Sequence, residues 1–196
     1  MTTPDLAPFA GRSNDLFGDN GTETMERSAT LSPCRAYRYA LWRRWGRGPY
    51  AMFIGLNPST ADEANDDPTI RRCIGFARAW GYEGLCMTNL FAYRATKPAD
   101  MKKSANPVGC ENDRVLVTFS HCAGVVVAAW GTHGTHMGRD QTVRLLVPGL
   151  HYLRLTKDGH PAHPLYLPAS LRPVLWVKAP NVTSKRLDTA LRGQSA

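Results

Sequence analysis

Hydrophobic and polar positions along this chain switch between a period of two and a helical period, and the switches mark out a series of elements. Residues 34–45 alternate in part, with Tyr37, Tyr39 and Leu41 set against Arg38 and Arg43, which predicts a strand. A second strand is predicted from Tyr50 to Leu56, after the turn at Gly46–Pro49. Asp67-Pro68-Thr69-Ile70 has the form of a helix start, with an aspartate able to cap and a proline suited to the first helical position. Ile70, Cys73, Ile74 and Ala77 then recur at helical spacing until Gly81, leaving Arg71, Arg72 and Arg78 outward.

Leu85 to Phe91 reads as a further strand, and Asn106-Pro107 as the opening of a helix that turns Val115, Leu116 and Phe119 inward. The nearly continuous apolar run Gly124–Trp130 suits a strand covered on both faces. A helix around 139–147 and a strand near 151–155 complete the alternation. Strands alternating with helices imply βαβ units. The expected fold is therefore α/β: a three-layer α/β/α sandwich around a short, mainly parallel central sheet of about four strands. A chain of 196 residues suits one such domain. The expected organisation is a flexible N-terminal arm over residues 1–28, a single domain over 29–180 and a loose tail over 181–196.

Charge sharpens this picture. The formal net charge is +8, although the first thirty residues are net acidic. Arg35, Arg38, Arg43, Arg44 and Arg47 lie in a stretch that contains no acid. The planar fork of arginine matches phosphate, and such an excess is the footprint of a polyanionic partner. No apolar run approaches the roughly 18 residues of a spanning helix, and no secretory signal is visible, so a cytoplasmic chain without a membrane partner is expected. The five cysteines are scattered and never spaced C-x-x-C, which argues against a disulfide framework or zinc ribbon and predicts that most are buried fillers.

Candidate chemistry sits where strands end. Gly55-Leu56-Asn57-Pro58-Ser59-Thr60 follows a strand, and Pro58 biases Asn57 away from helical geometry, so its amide stands on a stiff corner. Thr88-Asn89-Leu90-Phe91-Ala92-Tyr93-Arg94 ends a second strand, and His160-Pro161-Ala162-His163-Pro164 lies beyond the last. In an open α/β sheet, ligands collect at such carboxyl ends. Trp130-Gly131-Thr132-His133-Gly134-Thr135-His136 fits neither a dinucleotide fingerprint nor a P-loop, and better suits a pocket rim or a phosphate contact. His133 and His136 lack the further ligands a zinc site needs, so no metal and no cofactor are expected.

In these motifs the chain resembles the uracil-DNA glycosylase superfamily. The elements that carry the resemblance are Gly55-Leu56-Asn57-Pro58, Asn89 at the end of a later strand, and His163-Pro164. From about Arg35 to Trp176 it also looks like a bacterial and phage family of unassigned function, marked by G-L-N-P-S-T-A-D, D-D-P-T-I-R-R, T-N-L-F-A and H-P-L-Y-L. The chain departs from the glycosylase pattern in carrying His163-Pro164-Leu165-Tyr166 where a serine would follow the proline, and in having an amide at Asn57 where the most efficient uracil enzymes have aspartate.

The resemblance implies a uracil-DNA glycosylase-like fold and a DNA glycosylase that flips and hydrolytically excises an abnormal or modified pyrimidine, leaving an abasic site. Its target would be uracil in repair or a hypermodified phage base, such as a glucosylated hydroxymethylpyrimidine, in anti-phage defence. Asn57 would orient the water, His163 would stabilise the departing base, and Asp62 is the candidate base that an amide cannot be. Gly55, Leu56, Pro58, Ser59, Asn89, Phe91, Tyr93 and Trp130 would line the base pocket. Arg43, Arg44, Arg71, Arg94, Ser59, Thr60 and His133 would meet phosphates, with DNA, duplex or single-stranded, as partner to a monomer. Two rivals remain at this stage: a hydrolase or transferase of free modified nucleosides or nucleotides, and a non-catalytic nucleic-acid binding module.

Overall fold

A computed structural model describes residues 24–177, and residues 1–23 and 178–196 lie outside the described residues. Seven strands form one mixed sheet in the order β1-β2-β4-β3-β5-β6-β7. They are β1 (Glu26–Leu31), β2 (Arg38–Arg44), β3 (Ala51–Gly55), β4 (Gly84–Asn89), β5 (Val125–Ala128), β6 (His151–Tyr152) and β7 (Val174–Leu175). Four helices accompany them: α1 (Pro68–Ala79), α2 (Pro98–Lys103), α3 (Asn112–Cys122) and α4 (Arg139–Leu146).

This corrects the expectation of a short, mainly parallel sheet of about four strands. The β1–β2, β2–β4 and β6–β7 pairings are antiparallel, while β4–β3, β3–β5 and β5–β6 are parallel. Local pattern could not announce the additions. β1 is polar in sequence, so its first residues, Glu26 to Ser28, read as part of the arm; pairing from Glu26↔Arg44 onward gives them their partners. β7 is a two-residue strand with both residues exposed, too short to carry a period. The helix expected to open at Asn106-Pro107 begins instead at Asn112, and α2 precedes it.

α1 forms as its caps predict: the Asp67 side chain accepts from the Ile70 N–H at 2.9 Å, and Pro68 occupies the first turn. Its apolar stripe of Ile70, Cys73, Phe76 and Ala77 packs on one face of the sheet against Phe53, Leu85 and Val127. The other face carries Met52, Ile54, Cys86 and Val126, covered by Val115, Leu116 and Phe119 of α3 and Val143 of α4. Each such large side chain removed from water contributes roughly 1.5–3 kcal/mol. Strand β3 is buried on both faces along its whole length, as its uninterrupted apolar run requires. Among the described residues no helix is long and apolar enough to cross a membrane. Cys73 and Cys86 are buried, but Cys34, Cys110 and Cys122 are exposed, so most of the cysteines are not core fillers.

The packing brings the ends of β3, β4 and β5 to one edge. Gly55 lies opposite Asn89, and Ile54 opposite Ala128. Pairing runs on past the strands, with Leu90 N–H donating to Gly55 O, Phe91 N–H to Leu56 O (both 2.9 Å) and Ala129 N–H to Ile54 O (2.8 Å).

Candidate active site at the strand ends

The turn that opens at Gly55 is held against the continuation of β4. Ala95 N–H donates to Pro58 O at 3.0 Å, and the Asn57 side chain closes the gap from the other direction. Its Nδ2 donates to Ala95 O at 2.6 Å and to Pro58 O at 3.0 Å. Two carbonyl acceptors identify the amide nitrogen and use its hydrogens, which leaves Oδ1 as a fixed acceptor. An acceptor held in this way can orient a water molecule.

Asn89 lies beneath this turn and is 1% exposed. Gly55 is a glycine because of it: a Cβ there would stand 2.8 Å from Asn89 Oδ1 and 2.7 Å from Met87 Cε. The Asn89 Nδ2 is buried and has no hydrogen-bond partner among the described residues. A buried amide donor left unmade costs about 1–3 kcal/mol, so the group asks for an acceptor.

Two residues that the sequence reading missed fix the backbone that carries Asn89. Asn112, wholly buried, donates through Nδ2 to Asn89 O at 3.0 Å and to Leu90 O at 2.9 Å. Arg139, buried and paired with Asp113, donates through Nε to the same Leu90 carbonyl at 2.9 Å. Neither sits in a motif, since each reaches the strand end from a helix distant in sequence. Asn112 Oδ1 and Trp130 Nε1 are likewise buried without partners.

His163 reaches the same edge because its loop is pinned to the end of β5. Gly131 N–H donates to Pro161 O at 2.9 Å, and the positive φ of Gly131 (70°) lets the chain turn there. The imidazole is half-buried, and burial pushes its pKa below the ordinary histidine range, with Asp67 acting weakly against this. The ring is therefore neutral at pH 7. Leu165 N–H donates to Nδ1 at 3.4 Å, so the proton rides on Nε2, which is left as a donor. Tyr166, 81% exposed, stands beside it with ring centroids 5.8 Å apart.

Other expected residues take different places. Asp62 braces its own loop: Oδ1 accepts from the Ala64 and Asn65 amides at 2.9 and 2.8 Å, and these bonds hold the carboxyl below the usual carboxylate range. That makes it a weak proton acceptor. Phe91 and Trp130 are fully buried in the core, so neither offers a face to a base. Tyr93 is half-buried, set edge-on to Tyr37 at 5.7 Å, and Leu56 packs half-buried against the core. Pro58 is buried, Ser59 half-buried and Thr60 exposed on the same turn.

The expected phosphate contacts divide. Arg43 is not outward: it is 0% exposed, with Nε on Asp66 Oδ1 (2.7 Å), Nη1 on Trp42 O (2.7 Å) and Nη2 on the carbonyls of Asp62 (2.7 Å) and Asn65 (3.3 Å). The 62–66 loop folds over the side chain and takes Nε and Nη2, while Nη1 turns back to the Trp42 carbonyl. Arg44 sits at the opposite end of the sheet, paired with Gly84 and donating to Gly48 O at 2.7 Å. Arg71 is exposed and donates to Asp66 O, and Arg94 is half-buried near the turn, donating to Arg35 O at 3.3 Å. His133 is exposed, 3.4 Å from Lys102 Nζ, and His136 tilts against Phe91. Arg38 is 2% exposed and donates to Ala61 O.

The chain belongs to the family described as protein of unknown function (DUF1643), whose model matches residues 38–165. No curated protein and no solved structure matches it.

Proposed function

We propose that this protein is a monofunctional DNA glycosylase that accepts a flipped pyrimidine at the strand-end edge and hydrolyses its bond to deoxyribose. The observation that carries the reading is the buried, unpartnered Nδ2 of Asn89, on a residue whose Oδ1 faces Gly55 and whose backbone carbonyl is bound by Asn112. A pyrimidine edge would supply the missing acceptor, and base-cleaving enzymes read a flipped base through such contacts. The sugar passes through an oxocarbenium-like state, so a donor aimed at the departing base matters more than a strong nucleophile.

The C1′–N bond breaks with its electron pair moving into the base, where the neutral His163 donates from Nε2 to the developing negative oxygen. Water held by Asn57 Oδ1 then bonds to C1′ and releases its proton to solvent. No strong base is required, in keeping with the commitment of Asp62 to its loop. Tyr166 is placed to fill the space that a flipped base vacates. Uracil and hypermodified phage pyrimidines are both within this chemistry, and anti-phage defence is the context that would favour the second.

A second reading, hydrolysis or transfer on free modified nucleotides, draws support from a particular observation. Arg43 is internal and Arg44 lies at the far edge, which leaves Arg71 and Arg94 from the expected set of arginine contacts to DNA. One assay separates the readings. DNAs bearing uracil, mismatched thymine, hydroxymethylated or glucosylated pyrimidines, and whole phage genomes, are treated and the abasic sites revealed with alkali. The glycosylase reading expects cleavage on at least one substrate, lost by roughly 10²-fold or more in Asn57→Ala. Activity only on mononucleotides would favour the second reading, and DNA binding without any product would leave a binding module.

A further inference from the structure

Among the described residues three arginines are buried: Arg38, Arg43 and Arg139. Two have a carboxylate, Asp66 for Arg43 and Asp113 for Arg139. Arg38 has none. Its Nη1 donates to Ala61 O, and its Nε is buried without a partner. The nearest acids are occupied elsewhere, Asp67 in capping α1 and Asp62 in bracing its loop. Moving a guanidinium without a paired carboxylate out of water costs several kcal/mol, which the Ala61 carbonyl and the fields of Asp67 and Asp62 offset only in part.

We infer that Arg38 forms the floor of an anion subsite, filled by a phosphate group of the ligand. The inference rests on the strand-end edge being a ligand site and not on which bond is cleaved there. Arg38 runs under the turn that carries Asn57, and its backbone N–H donates to Ala92 O on the continuation of β4, so it belongs to the same edge. Arg94 is near enough for its charge to act on Arg38, which gives the subsite a second cation. Ser59 and Thr60 stand on the same turn and can add hydroxyl donors. Burial pulls the Arg38 pKa down to about 10, and the neighbouring Arg94 and Arg43 act in the same direction. A bound anion would reverse both effects. A guanidinium fork matches two phosphate oxygens, which favours phosphate over a spherical anion.

The test compares wild type with Arg38→Met and Arg38→Lys at fixed ionic strength. The probes are inorganic phosphate, deoxyuridine 5′-monophosphate, deoxyuridine and a single-stranded oligonucleotide. Phosphate should raise the melting temperature of wild type above its value in chloride. Arg38→Met should fold as well as wild type in chloride, because an apolar side chain replaces an unpaired charge. It should bind phosphate and the mononucleotide at least ten-fold more weakly, with deoxyuridine binding unchanged. Should the methionine variant fail to fold, Arg38→Lys decides: a retained fold with phosphate affinity reduced ten-fold supports the subsite.

Phosphate affinity unchanged in the folded variants overturns the subsite, as does a wild-type melting temperature indifferent to phosphate. Arg38-dependent binding of the mononucleotide points to a phosphomonoester. Arg38-dependent oligonucleotide binding, lost with methylphosphonate linkages, points to a phosphodiester. Absence of base release with Arg38-dependent phosphate binding intact removes the glycosylase reading alone. Equal excision by wild type and Arg38→Met at subsaturating DNA removes the subsite alone.

Discussion

The region around Arg43 and the strand-end edge around Asn89 and Arg38 share the 55–67 loop, yet they are finished to different standards. In the first, every guanidinium nitrogen of Arg43 meets an acceptor, and Asp66 is held by Arg27 at 2.8 Å as well as by Arg43 at 2.7 Å. In the second, Asn89 Nδ2, Arg38 Nε, Asn112 Oδ1 and Trp130 Nε1 are buried and unmatched. Folded proteins match nearly all buried polar groups, so each such atom asks for a reason. Unmatched atoms occur on the brace side too, at Ser28 Oγ and Glu63 Oε2, so what sets the edge apart is that a buried amide and a guanidinium are left unmatched at the strand ends. The brace positions the 62–66 loop through Arg43.

The largest expected effect falls on the brace. Arg43→Met leaves Asp66 with one exposed partner and strips the Asp62 carbonyl of its Arg43 donor, and should cost roughly 3 kcal/mol in denaturant unfolding. A loss below about 1 kcal/mol would show that the loop does not depend on it. Next in size, Asn89→Ala should lower catalysis by about 10²-fold while changing stability by no more than about 1 kcal/mol, since the amide removed is already unmatched. If unfolding and activity fell together, the division between brace and site would be broken.

The smallest effect is the sharpest in direction. Burial holds the His163 pKa below its unfolded value, so near and below pH 6.5 the unfolded chain binds more protons at this residue. Stability from the neutral imidazole is thus fully present above that pH and falls as the pH drops toward the lowered pKa. His163→Gln should flatten this part of the curve of melting temperature against pH. Activity in wild type should decline over the same range, as protonation of Nδ1 displaces the Leu165 N–H bond.

Much of the edge was legible from local pattern. The Gly55–Thr60 turn, Asn89 and the His163 loop each follow a strand or its continuation, and short-range rules locate strand ends. The start of α1 was readable because an N-cap aspartate and a first-turn proline act within four residues. The sheet was read too small because β1 is a polar edge strand defined by its pairing with β2, and β7 has two residues, both exposed. Arg43 was read as a phosphate contact because a basic run shows where charge lies in the chain, not whether a later loop will cover it. Asn112 and Arg139 carried no signal, as their acceptors are the backbone carbonyls of Asn89 and Leu90.

By itself, then, the sequence determined the inner strands, helices α1 and α4 and which turns bear amides and imidazole, because propensity, capping and period act over a few residues. Tertiary structure alone decided which arginines are internal, which carry a counter-charge and which buried amide is left unmatched. Burial and hydrogen bonding there are sums over segments far apart in the chain: the Asn57 amide finds its carbonyl 38 residues later, and Arg139 finds Leu90 49 residues earlier.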